Sequence, residues 1–484
     1  MNLAGTALTP RDATMYWLST RTPNDLLLLY AFAETGEPTA VLRRSIANRV
    51  TRIPDLLVRV LDTPANIAYP IWAACEFIDD QVLEHEPPAG EWPEFGTALG
   101  GLLGTVLDAA HRPWRLHLFR NVTAAPGFAA GEPALIAVLQ LSHALADGRR
   151  AAALARALFT ESIEDAPKTD GSLRNSLSRV IPPEWSATAS AVPNFPIAMV
   201  RTVFRGFAAY RAEQRLAELT SAGALPPPAP TAPPNPLNGT GSAPAAHVAR
   251  MLVHPAADLK APGHTVTVIA ATAISLALQR YLDSRAEPTD TLLAQIPMAV
   301  ATDSGPRNSY RDLTVDLFIR EPDISHRAAR IAADLAQRRH RAEHPLQEAR
   351  SRATEAIPAP ILHRDIMAYP IDVLPQKVSG HTVISSVHRG PADLTFATGG
   401  VRFTAGFPAI GSVMRLTHGI HGLGDTVTIS LHADPAAIPD LDAYATLLSA
   451  ALAEVVATLR EGRRPPPKLV RWGPRERRIG DLNP

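Results

Sequence analysis

The sequence predicts an α/β protein of two domains, and three observations support this prediction. Helical and strand-like patterns alternate in the first half of the chain and alternate again in the second half. Between the halves, seven of the eleven residues of 226–236 are proline. The chain has 484 residues, 46% of them hydrophobic, which is enough for two or three ordinary globular cores. Alternation of helices and strands in both halves favours two α/β sandwiches.

In the first half, the apolar run 134–139 predicts a buried strand, and apolar residues at helical spacing over 151–159 predict a helix directly after it. A polar, serine-rich connection begins at Lys168, and 196–219 predicts a helix with one apolar side. Proline at the density of 226–236 excludes a helix or a central strand there. That stretch is therefore expected to be a crossover linker or an ordered strap along the surface.

In the second half, 264–282 is alanine-rich and predicts a helix that begins after Thr265. Apolar stripes over 328–335 and 444–459 predict two more helices. Three further segments carry β-branched or alternating patterns and predict strands of a mixed sheet, namely 382–387, 401–403 and 426–433. We place an N-terminal domain at 1–185, a connecting helix and linker at 186–245, and a C-terminal domain at 246–484.

Charge and cysteine content exclude several classes of protein. Lys and Arg together number 47, as do Asp and Glu, so no net charge favours binding to nucleic acid. The lone cysteine, Cys75, has no partner for an internal disulfide, and the N-terminus shows no apolar signal core. No run of about 18 consecutive apolar residues predicts a membrane span. A cytoplasmic protein is expected, with peripheral contact to a membrane or lipid droplet left open.

The chemistry of the chain is predicted at the end of the strand 134–139, where Ser142-His143-Ala144-Leu145-Ala146-Asp147-Gly148 follows. A neutral imidazole at cellular pH accepts the proton of an attacking hydroxyl, thiol or amine, so His143 is a candidate general base. Asp147 would fix the loop or orient the histidine. Gly148 would allow a sharp turn from strand to helix. A histidine beside a core strand is also consistent with a purely structural role.

Several short motifs in a fixed order resemble the bacterial wax ester synthase/diacylglycerol acyltransferase family. That family is similar in fold to chloramphenicol acetyltransferase, carnitine acyltransferases and the condensation domains of peptide synthetases. The resemblance extends over nearly the whole chain. The segments that carry it are 107–117, 142–148, 236–239, 263–267, 385–387 with 390–391, and 433–434 with 439–440.

The resemblance implies two chloramphenicol acetyltransferase-like sandwich domains related by pseudo-symmetry, with His143 midway along a tunnel between them. Acyl-coenzyme A would be the donor and an alcohol, such as diacylglycerol, the acceptor, giving a triacylglycerol or a wax ester without a further cofactor. His143 and Asp147 would be the catalytic pair. Asp147 would organise the site by pairing with an arginine, for which Arg307 and Arg389 are candidates.

Three positions depart from the family pattern. Ser142 replaces the first of two adjacent histidines, Thr267 begins the replacement of an Asn-Asp pair, and Ser386 replaces the asparagine of Ser-Asn-Val-Pro-Gly-Pro. We expect Ser142, Gly148, Thr267 and Ser386 to position substrate, with the Thr267 and Ser386 hydroxyls helping to stabilise the oxyanion. The departures leave two alternatives open: an amine or secondary-metabolite acceptor, or a degenerate member that binds acyl chains without catalysis.

Other patterns are weaker. Neighbouring residues on a strand point to opposite faces, so Ser142 is not expected to form a hydrolase triad with His143 and Asp147. His418 and His421 lie in a glycine-rich stretch that favours a hairpin over a metal site, and no metal is expected. The basic tail at 463–478 fits lipid headgroups or plain solvation, and we favour solvation. Acyl chain length, acceptor and oligomeric state are not predicted.

Overall fold

The computed structural model describes residues 5–86, 90–160, 183–239, 244–300 and 307–461. The helices are α1 (Pro10–Ser19), α2 (Thr39–Val50), α3 (Trp92–Leu103), α4 (Gly148–Phe159), α5 (Pro183–Ser221), α6 (Val266–Ser284), α7 (Ile324–Glu343), α8 (Leu346–Thr354), α9 (Ala359–Ala368) and α10 (Leu441–Glu461). The strands are β1 (Leu26–Ala33), β2 (Val58–Leu61), β3 (Ile71–Ala74), β4 (Val82–His85), β5 (Trp114–Val122), β6 (Ala134–Leu141), β7 (Val248–Pro255), β8 (Leu293–Ala299), β9 (Tyr310–Asp316), β10 (Thr382–His388), β11 (Thr395–Phe396), β12 (Gly399–Phe407), β13 (Leu416–Leu423) and β14 (Thr426–Ala433).

The strands form two six-stranded mixed sheets and a small two-stranded one. The first sheet has the order β11-β12-β1-β6-β5-β4, the second has the order β7-β14-β13-β10-β8-β9, and β2 pairs with β3. Helices pack on both large sheets, with α4 against the first and α6 and α10 in the core of the second. The alternating α/β architecture predicted from the sequence is confirmed.

Strand β6 lies in the middle of the first sheet and delivers the histidine motif. It pairs antiparallel with β1 and with β5, and all eight of its residues are buried. Leu135, Ala137, Leu139 and Leu141 join one apolar cluster, while the alternate residues face a second cluster on the other side of the sheet. Burial on both faces explains the unbroken apolar run, and the predicted strand and its following helix are confirmed.

Strands β11 and β12 belong to the second half of the chain but lie in the first sheet. β12 pairs antiparallel with β1, with Leu27 opposite Phe407 and Tyr30 opposite Thr404. Residues 395–407 therefore depart from the sequence-based division, which placed all of 246–484 in one C-terminal domain. The alternating pattern of a strand reports which faces are buried and carries no information about its partner strand.

The proline-rich stretch is an ordered strap rather than a free linker. Ala232 and Val378 exchange two backbone hydrogen bonds of 3.1 and 2.8 Å, and the Pro233 carbonyl contacts His381 Nε2 at 3.0 Å. The helix before it, α5, is longer than predicted and contains Pro193 and Pro196. The strap ends at the second sheet, where the Asn238 side chain donates to the Val413 carbonyl at 3.0 Å.

Among the described residues, one helix, α10, has the length and apolar composition of a membrane span. Its side chains Tyr444, Leu448, Leu452 and Val455 are buried in the core of the second sheet. A core helix passes the same test of length and composition, so α10 is weak evidence for a membrane segment. The basic tail at 463–478 lies outside the described residues.

A chain of buried polar side chains crosses the first sheet beneath the histidine motif. Gln140 donates to Asp25 Oδ2 at 2.8 Å, and its carbonyl oxygen contacts His117 Nε2 at 3.0 Å. His117 Nδ1 in turn lies 2.8 Å from His85 Nε2. Burial raises the pKa of Asp25 to about 7, although hydrogen bonds from the Leu107 amide and Gln140 oppose the shift. Asp25 Oδ1 has no hydrogen-bond partner among the described residues.

The two large sheets meet at a pair of glycines, which predicts a local sensitivity to added volume. A Cβ at Gly419 would overlap the Gly406 carbonyl oxygen and lie 2.5 Å from Ser430 Oγ. We expect Gly419→Ala to lower the free energy of unfolding by about 1–3 kcal/mol in urea titrations, because backbone must move. Gly400→Ala is the control, since nothing lies within 4 Å of its Cβ position. Equal stability of the two variants would contradict this contact.

The raised pKa of Asp25 predicts a specific pH dependence of stability. The pKa of Asp25 in the folded state, about 7, exceeds the ordinary aspartate pKa of 3.8, so the folded state holds a proton that the unfolded state has lost. This contribution is fully present below pH 3.8 and disappears as the pH rises to about 7, a change of about 4 kcal/mol. Asp25→Asn mimics the protonated group, so we expect its stability relative to wild type to rise between pH 4 and 7.

The measurement for Asp25 is the urea midpoint of wild type and variant at a series of pH values. Asp372→Asn, at an exposed position, is the control and should show no such trend. A constant difference between wild type and Asp25→Asn across this range would show that Asp25 is ionised in the folded protein.

Candidate active site

The turn after β6 is fixed by backbone hydrogen bonds at both ends. The Ser142 amide donates to the Pro113 carbonyl at 2.8 Å, and the Leu145 amide closes a turn onto the Ser142 carbonyl at 2.9 Å. Asp147 then begins α4 as its N-cap, with its carboxylate accepting from the Arg150 amide at 2.9 Å. Aspartate is favoured at this position because it satisfies an amide that the helix leaves unpaired. The turn between these ends presents His143.

A segment from the second half of the chain, 307–309, lies against this turn. The Asn308 side chain donates to the His143 carbonyl at 2.7 Å. The Asp147 amide donates to the Arg307 carbonyl at 3.2 Å, and the Asp147 carboxylate accepts from the Ser309 amide at 3.1 Å. The main chain around His143 is therefore held by residues that are more than 150 positions away in sequence.

Asp12 on α1 holds the same segment from the other side. It is 2% exposed, and its carboxylate accepts from the Arg307 amide at 3.1 Å, the Asn308 amide at 3.1 Å and the Asn308 side chain at 2.9 Å. The Thr9 hydroxyl donates to it at 2.7 Å. Hydrogen bonds to a carboxylate are stronger than those between neutral groups, so Asp12 fixes Asn308 firmly beside the histidine.

An ion-pair network stabilises the base of the site. Asp55 pairs with Arg307 at 3.0 Å and also with Arg150 on α4, while Arg307 donates to the Leu145 carbonyl at 3.3 Å. Burial alone would raise the pKa of Asp55, but the two guanidinium groups outweigh it and hold that pKa below its usual range. Arg307 therefore supports the motif through Asp55 and the backbone.

His143 lines a cavity of about 950 Å³ that lies between the two large sheets. The cavity receives residues from α1, β1, the histidine turn, β8, β10, β12 and β13. Its wall is predominantly apolar and includes Leu18, Leu26, Leu27, Leu28, Ile366, Val383, Val387, Phe407, Ile410, Val413 and Met414. A space of this size and polarity suits an acyl chain.

The electrostatic surroundings of His143 favour the neutral imidazole. Burial lowers the pKa of His143, and the Asn308 side chain and the carboxylates of Asp147 and Asp12 act more weakly in the opposite direction. Nδ1 of the ring has no hydrogen-bond partner among the described residues. Tyr310 flanks the imidazole with its ring centroid 6.0 Å away. A neutral imidazole has a lone pair available for a proton, so the geometry permits base catalysis.

The structure brings Thr267 and Ser386 together. The Thr267 hydroxyl donates to Ser386 Oγ at 3.0 Å. Both residues line a smaller cavity of about 310 Å³, and Ser386 and Pro297 also line the large cavity. Because Ser386 Oγ accepts from Thr267, its own proton is available to a group in the large cavity.

The expected arginine partner of Asp147 is absent from the described structure. Neither Arg307 nor Arg389 forms an ion pair with Asp147, because Arg307 is engaged by Asp55 and Arg389 by Thr404 and Ala405 on β12. The Asp147 carboxylate instead accepts from two backbone amides.

The structure places Gly148 on the wall of the large cavity and Ser142 away from it. Ser142 is 1% exposed, its hydroxyl accepts from the Ala144 amide at 3.4 Å, and it is not among the residues that line the cavity. Gly148 is not at positive φ, and an added Cβ would meet Val387 Cγ2 at an ordinary 3.8 Å. Gly148 lines the cavity, so its small size leaves space rather than permitting a turn.

His418 and His421 lie on β13 of the predicted hairpin and have separate environments. His418 contacts the Tyr444 hydroxyl at 2.7 Å and Thr382 Oγ1 at 3.0 Å, inside the core of the second sheet. His421 lines the large cavity. Three residues along a strand reverse the side-chain direction, which separates the two imidazoles.

Sequence reasoning missed Asp12, Asn308 and Asp25. Asp12 lies in the first turn of a helix after Thr9 and Pro10, which resembles an ordinary helix start. Asn308 stands just before a strand without a local motif. Only contacts across the fold show that Asp12 and Asn308 hold the turn that carries His143. Asp25 belongs to the buried polar chain below that turn.

Comparison with protein families gives two matches along the chain. The model of the wax ester synthase/diacylglycerol acyltransferase catalytic domain matches residues 8–252, and the model of the WS/DGAT C-terminal domain matches residues 308–455. A search of curated protein sequences found no significant match.

Solved structures with the same fold include the wax ester synthase/diacylglycerol acyltransferase from Marinobacter aquaeolei VT8. It is 18% identical, with a TM-score of 0.58, and the match covers 94% of this chain and 100% of that chain. A second is the starter condensation domain of rhizomide synthetase in complex with C8-CoA and Leu-SNAC, at 12% identity and a TM-score of 0.53, covering 94% of both chains.

The two family matches cover more than half of the chain, and the two structures confirm the two-domain α/β fold expected from the sequence. The chain belongs to the wax ester synthase/diacylglycerol acyltransferase family and is an acyltransferase.

Proposed function

We propose that this acyltransferase transfers an acyl group from acyl-coenzyme A to the hydroxyl of an alcohol, with His143 as the general base. The observation that carries the proposal is the position of His143 on the wall of a large apolar cavity between the sheets. The similar condensation domain was solved with an acyl-CoA, C8-CoA, which supports a coenzyme A thioester as the donor in this fold.

The residues suggest the following steps. His143 removes the hydroxyl proton of the acceptor while its oxygen attacks the thioester carbonyl. Ser386, supported by Thr267, donates a hydrogen bond to the oxyanion of the tetrahedral intermediate. The intermediate collapses, the bond to sulfur breaks, and the proton on His143 passes to the coenzyme A thiolate. Asn308 and Asp147 act as positioning residues, because they hold the backbone of the turn.

The apolar cavity also limits competing hydrolysis. Water that enters with the substrates would attack the same thioester carbonyl, and an apolar wall offers it few hydrogen-bond partners. Holding donor and acceptor in one enclosed space makes their reaction effectively unimolecular. The acyl chain would lie in the cavity against the wall that β1 and β12 form.

Replacement of His143 tests the proposed base. We expect His143→Ala to reduce kcat by about 10²–10⁴-fold, because general base catalysis contributes that much. The measurement is release of free coenzyme A from an acyl-CoA in the presence of a panel of alcohols and amines. His340→Ala, which removes an exposed imidazole from α7, is the control and should retain wild-type rates.

The same assay separates the alternatives. Wild-type rates in His143→Ala would remove the histidine from the mechanism. Transfer to amines alone would favour a specialised acceptor. Absence of transfer to every acceptor, together with acyl binding, would favour a binding protein.

In wild type, kcat/KM should fall on the acid side with an apparent pKa below 6.5, since burial lowers the pKa of His143.

An exposed apolar face on α5 supports peripheral contact with an anionic lipid surface. Ile197, Val200, Val203, Phe204, Phe207 and Tyr210 are each more than half exposed and recur at three- or four-residue spacing. From 195 to 212 the helix carries arginines at 201, 205 and 211 and no acidic residue. This combination of apolar and cationic side chains fits a membrane surface with anionic headgroups.

The apolar face adjoins the wall of the large cavity through the segment that follows α8. Thr202 on α5 donates to the Ala356 carbonyl at 2.6 Å. The chain continues through α9 to Tyr369, which lines the cavity and is 65% exposed. We propose that lipid bound at α5 reaches the acyl site from the side of the cavity that Tyr369 lines.

Replacing two aromatic residues tests the lipid contact. We expect Phe204→Ser/Phe207→Ser to lower the affinity for phosphatidylglycerol vesicles more than tenfold, as measured by co-sedimentation. Each phenyl ring buried in the lipid contributes about 1.5–3 kcal/mol to binding. Val106→Ser, at a residue 42% exposed, is the control. Turnover of water-soluble acceptors should be unaffected. Equal vesicle binding by wild type and the double variant would contradict the assignment of this face.

A further inference from the structure

A permanent positive charge lines the large cavity without an acidic partner. Arg389 follows β10 and is 6% exposed. Its Nη1 donates to the Thr404 hydroxyl and, at 2.8 Å, to the Ala405 carbonyl, and the guanidinium carbon lies 5.4 Å from the ring centroid of Tyr30. All these neighbours are neutral. Among the described residues, Arg389 forms no ion pair, and its Nε has no hydrogen-bond partner.

Other buried arginines of this chain are compensated. Arg307 and Arg415 pair with carboxylates at 3.0 and 2.9 Å. Arg327 forms no ion pair among the described residues, but all three of its nitrogens have hydrogen-bond acceptors and it does not line the large cavity. A guanidinium group keeps its charge in proteins, and burying a charge without an opposite charge is unfavourable. Arg389 differs from the other three because its charge borders an open space.

A second polar group meets Arg389 at the same point. His421 is 4% exposed and lines the cavity, and its Nδ1 has no hydrogen-bond partner in the part of the chain that the structure describes. Arg389 and His421 approach each other beside Gly406, where an added Cβ would overlap Arg389 Nη2 and lie 2.8 Å from His421 Nε2. Because Gly406 has no side chain, both groups pack against its backbone and lie close to each other on the cavity wall.

We infer that Arg389 and His421 form a carboxylate-binding subsite, so that one substrate carries a carboxylate in addition to its reacting group. The planar guanidinium offers N–H donors in the geometry that a carboxylate accepts. This inference rests on the proposed acyl transfer at His143, because both sites line one cavity.

The geometry of the first sheet separates the subsite from the reacting group. Arg389 is bound to β12, and His143 follows β6, with β1 between these two strands. Two strand spacings of about 4.8 Å each place the backbones of β12 and β6 about 10 Å apart. The substrate's carboxylate, bound at Arg389, is therefore separated by several bonds from its reacting thioester or hydroxyl at His143. Two substrates fit: a dicarboxylic acid monothioester as donor, or a long-chain hydroxy acid as acceptor.

Paired substrates distinguish these two sources in the coenzyme A release assay. The donor arm compares a dicarboxylic monoacyl-CoA with its methyl ester, and the acceptor arm compares an ω-hydroxy fatty acid with its methyl ester. We expect wild type to prefer the carboxylate at least tenfold in kcat/KM in one arm. Arg389→Gln should reduce that preference by about 10–100-fold, as expected for loss of a charged hydrogen bond.

Matched variants show whether the charge of Arg389 is responsible. Arg389→Lys should keep part of the preference. Arg402→Gln, which removes an exposed arginine from β12 that pairs with Glu132, should keep all of it. Thermal unfolding checks that each variant is folded. Wild type alone can overturn the inference, because equal kcat/KM for carboxylate and methyl ester in both arms would show that no carboxylate is recognised.

A binding experiment separates this inference from the proposed transfer reaction. His143→Ala protein is titrated calorimetrically with dodecanoate and with dodecanol. We expect tighter binding of dodecanoate by at least tenfold, and loss of that difference in His143→Ala/Arg389→Gln. If coenzyme A release fails with every substrate but the binding difference remains, the subsite stands and the transfer reaction does not. If neutral substrates react and dodecanoate shows no advantage, the transfer reaction stands and the subsite is overturned.

Discussion

The backbone pairing of β12 with β1 is the constraint on which the site depends. β11 and β12 lie in the first sheet, whereas β10 before them and β13 after them lie in the second sheet. The ladder between β1 and β12 therefore anchors the chain of the second sheet to the first sheet. Breaking that ladder would expose unpaired amides and carbonyls. The close approach of Gly406 and Gly419, with Ser430 donating to the Gly406 carbonyl, completes the seam. β1 and β12 then form one wall of the large cavity. The spacing between these two paired strands sets the width of that wall.

A second seam fixes the histidine by a different interaction. Asp12 and Asp147 accept hydrogen bonds from the backbone amides of 307–309, and Asn308 returns one to the His143 carbonyl. These carboxylates hold the segment without placing a guanidinium group beside the imidazole. A cation there would repel the imidazolium that base catalysis produces. The backbone contacts of Asp147 therefore give it the expected organising role by a route that leaves the charge state of His143 mainly to burial.

Hydrophobic periodicity was sufficient to predict the elements that are buried on regular faces. The strand β6, the helix α4 and the strand β14 all appear where the pattern predicts them, because a buried face repeats at every second, third or fourth residue. The same pattern predicted a strand at 401–403 but not its place in the first sheet, since its partner β1 lies over 350 residues away. Asp12 and Asn308 are 296 residues apart, so the sequence around one of them does not indicate its contact with the other.

If Arg389 and His421 bind a carboxylate as proposed, the departures from the family motifs indicate a different substrate rather than loss of activity. Ser386 keeps a hydroxyl on the cavity wall, and Thr267 orients it, so the oxyanion can still receive a hydrogen bond. In place of Val-Pro-Gly-Pro this chain has Val387-His388-Arg389-Gly390-Pro391, and the added arginine lines the same wall. An uncharged wax ester or acylglycerol would leave that guanidinium unpaired in an apolar space. A substrate with a distal carboxylate would neutralise it and would be oriented by that contact, with its apolar chain against β1 and its reacting carbon at His143.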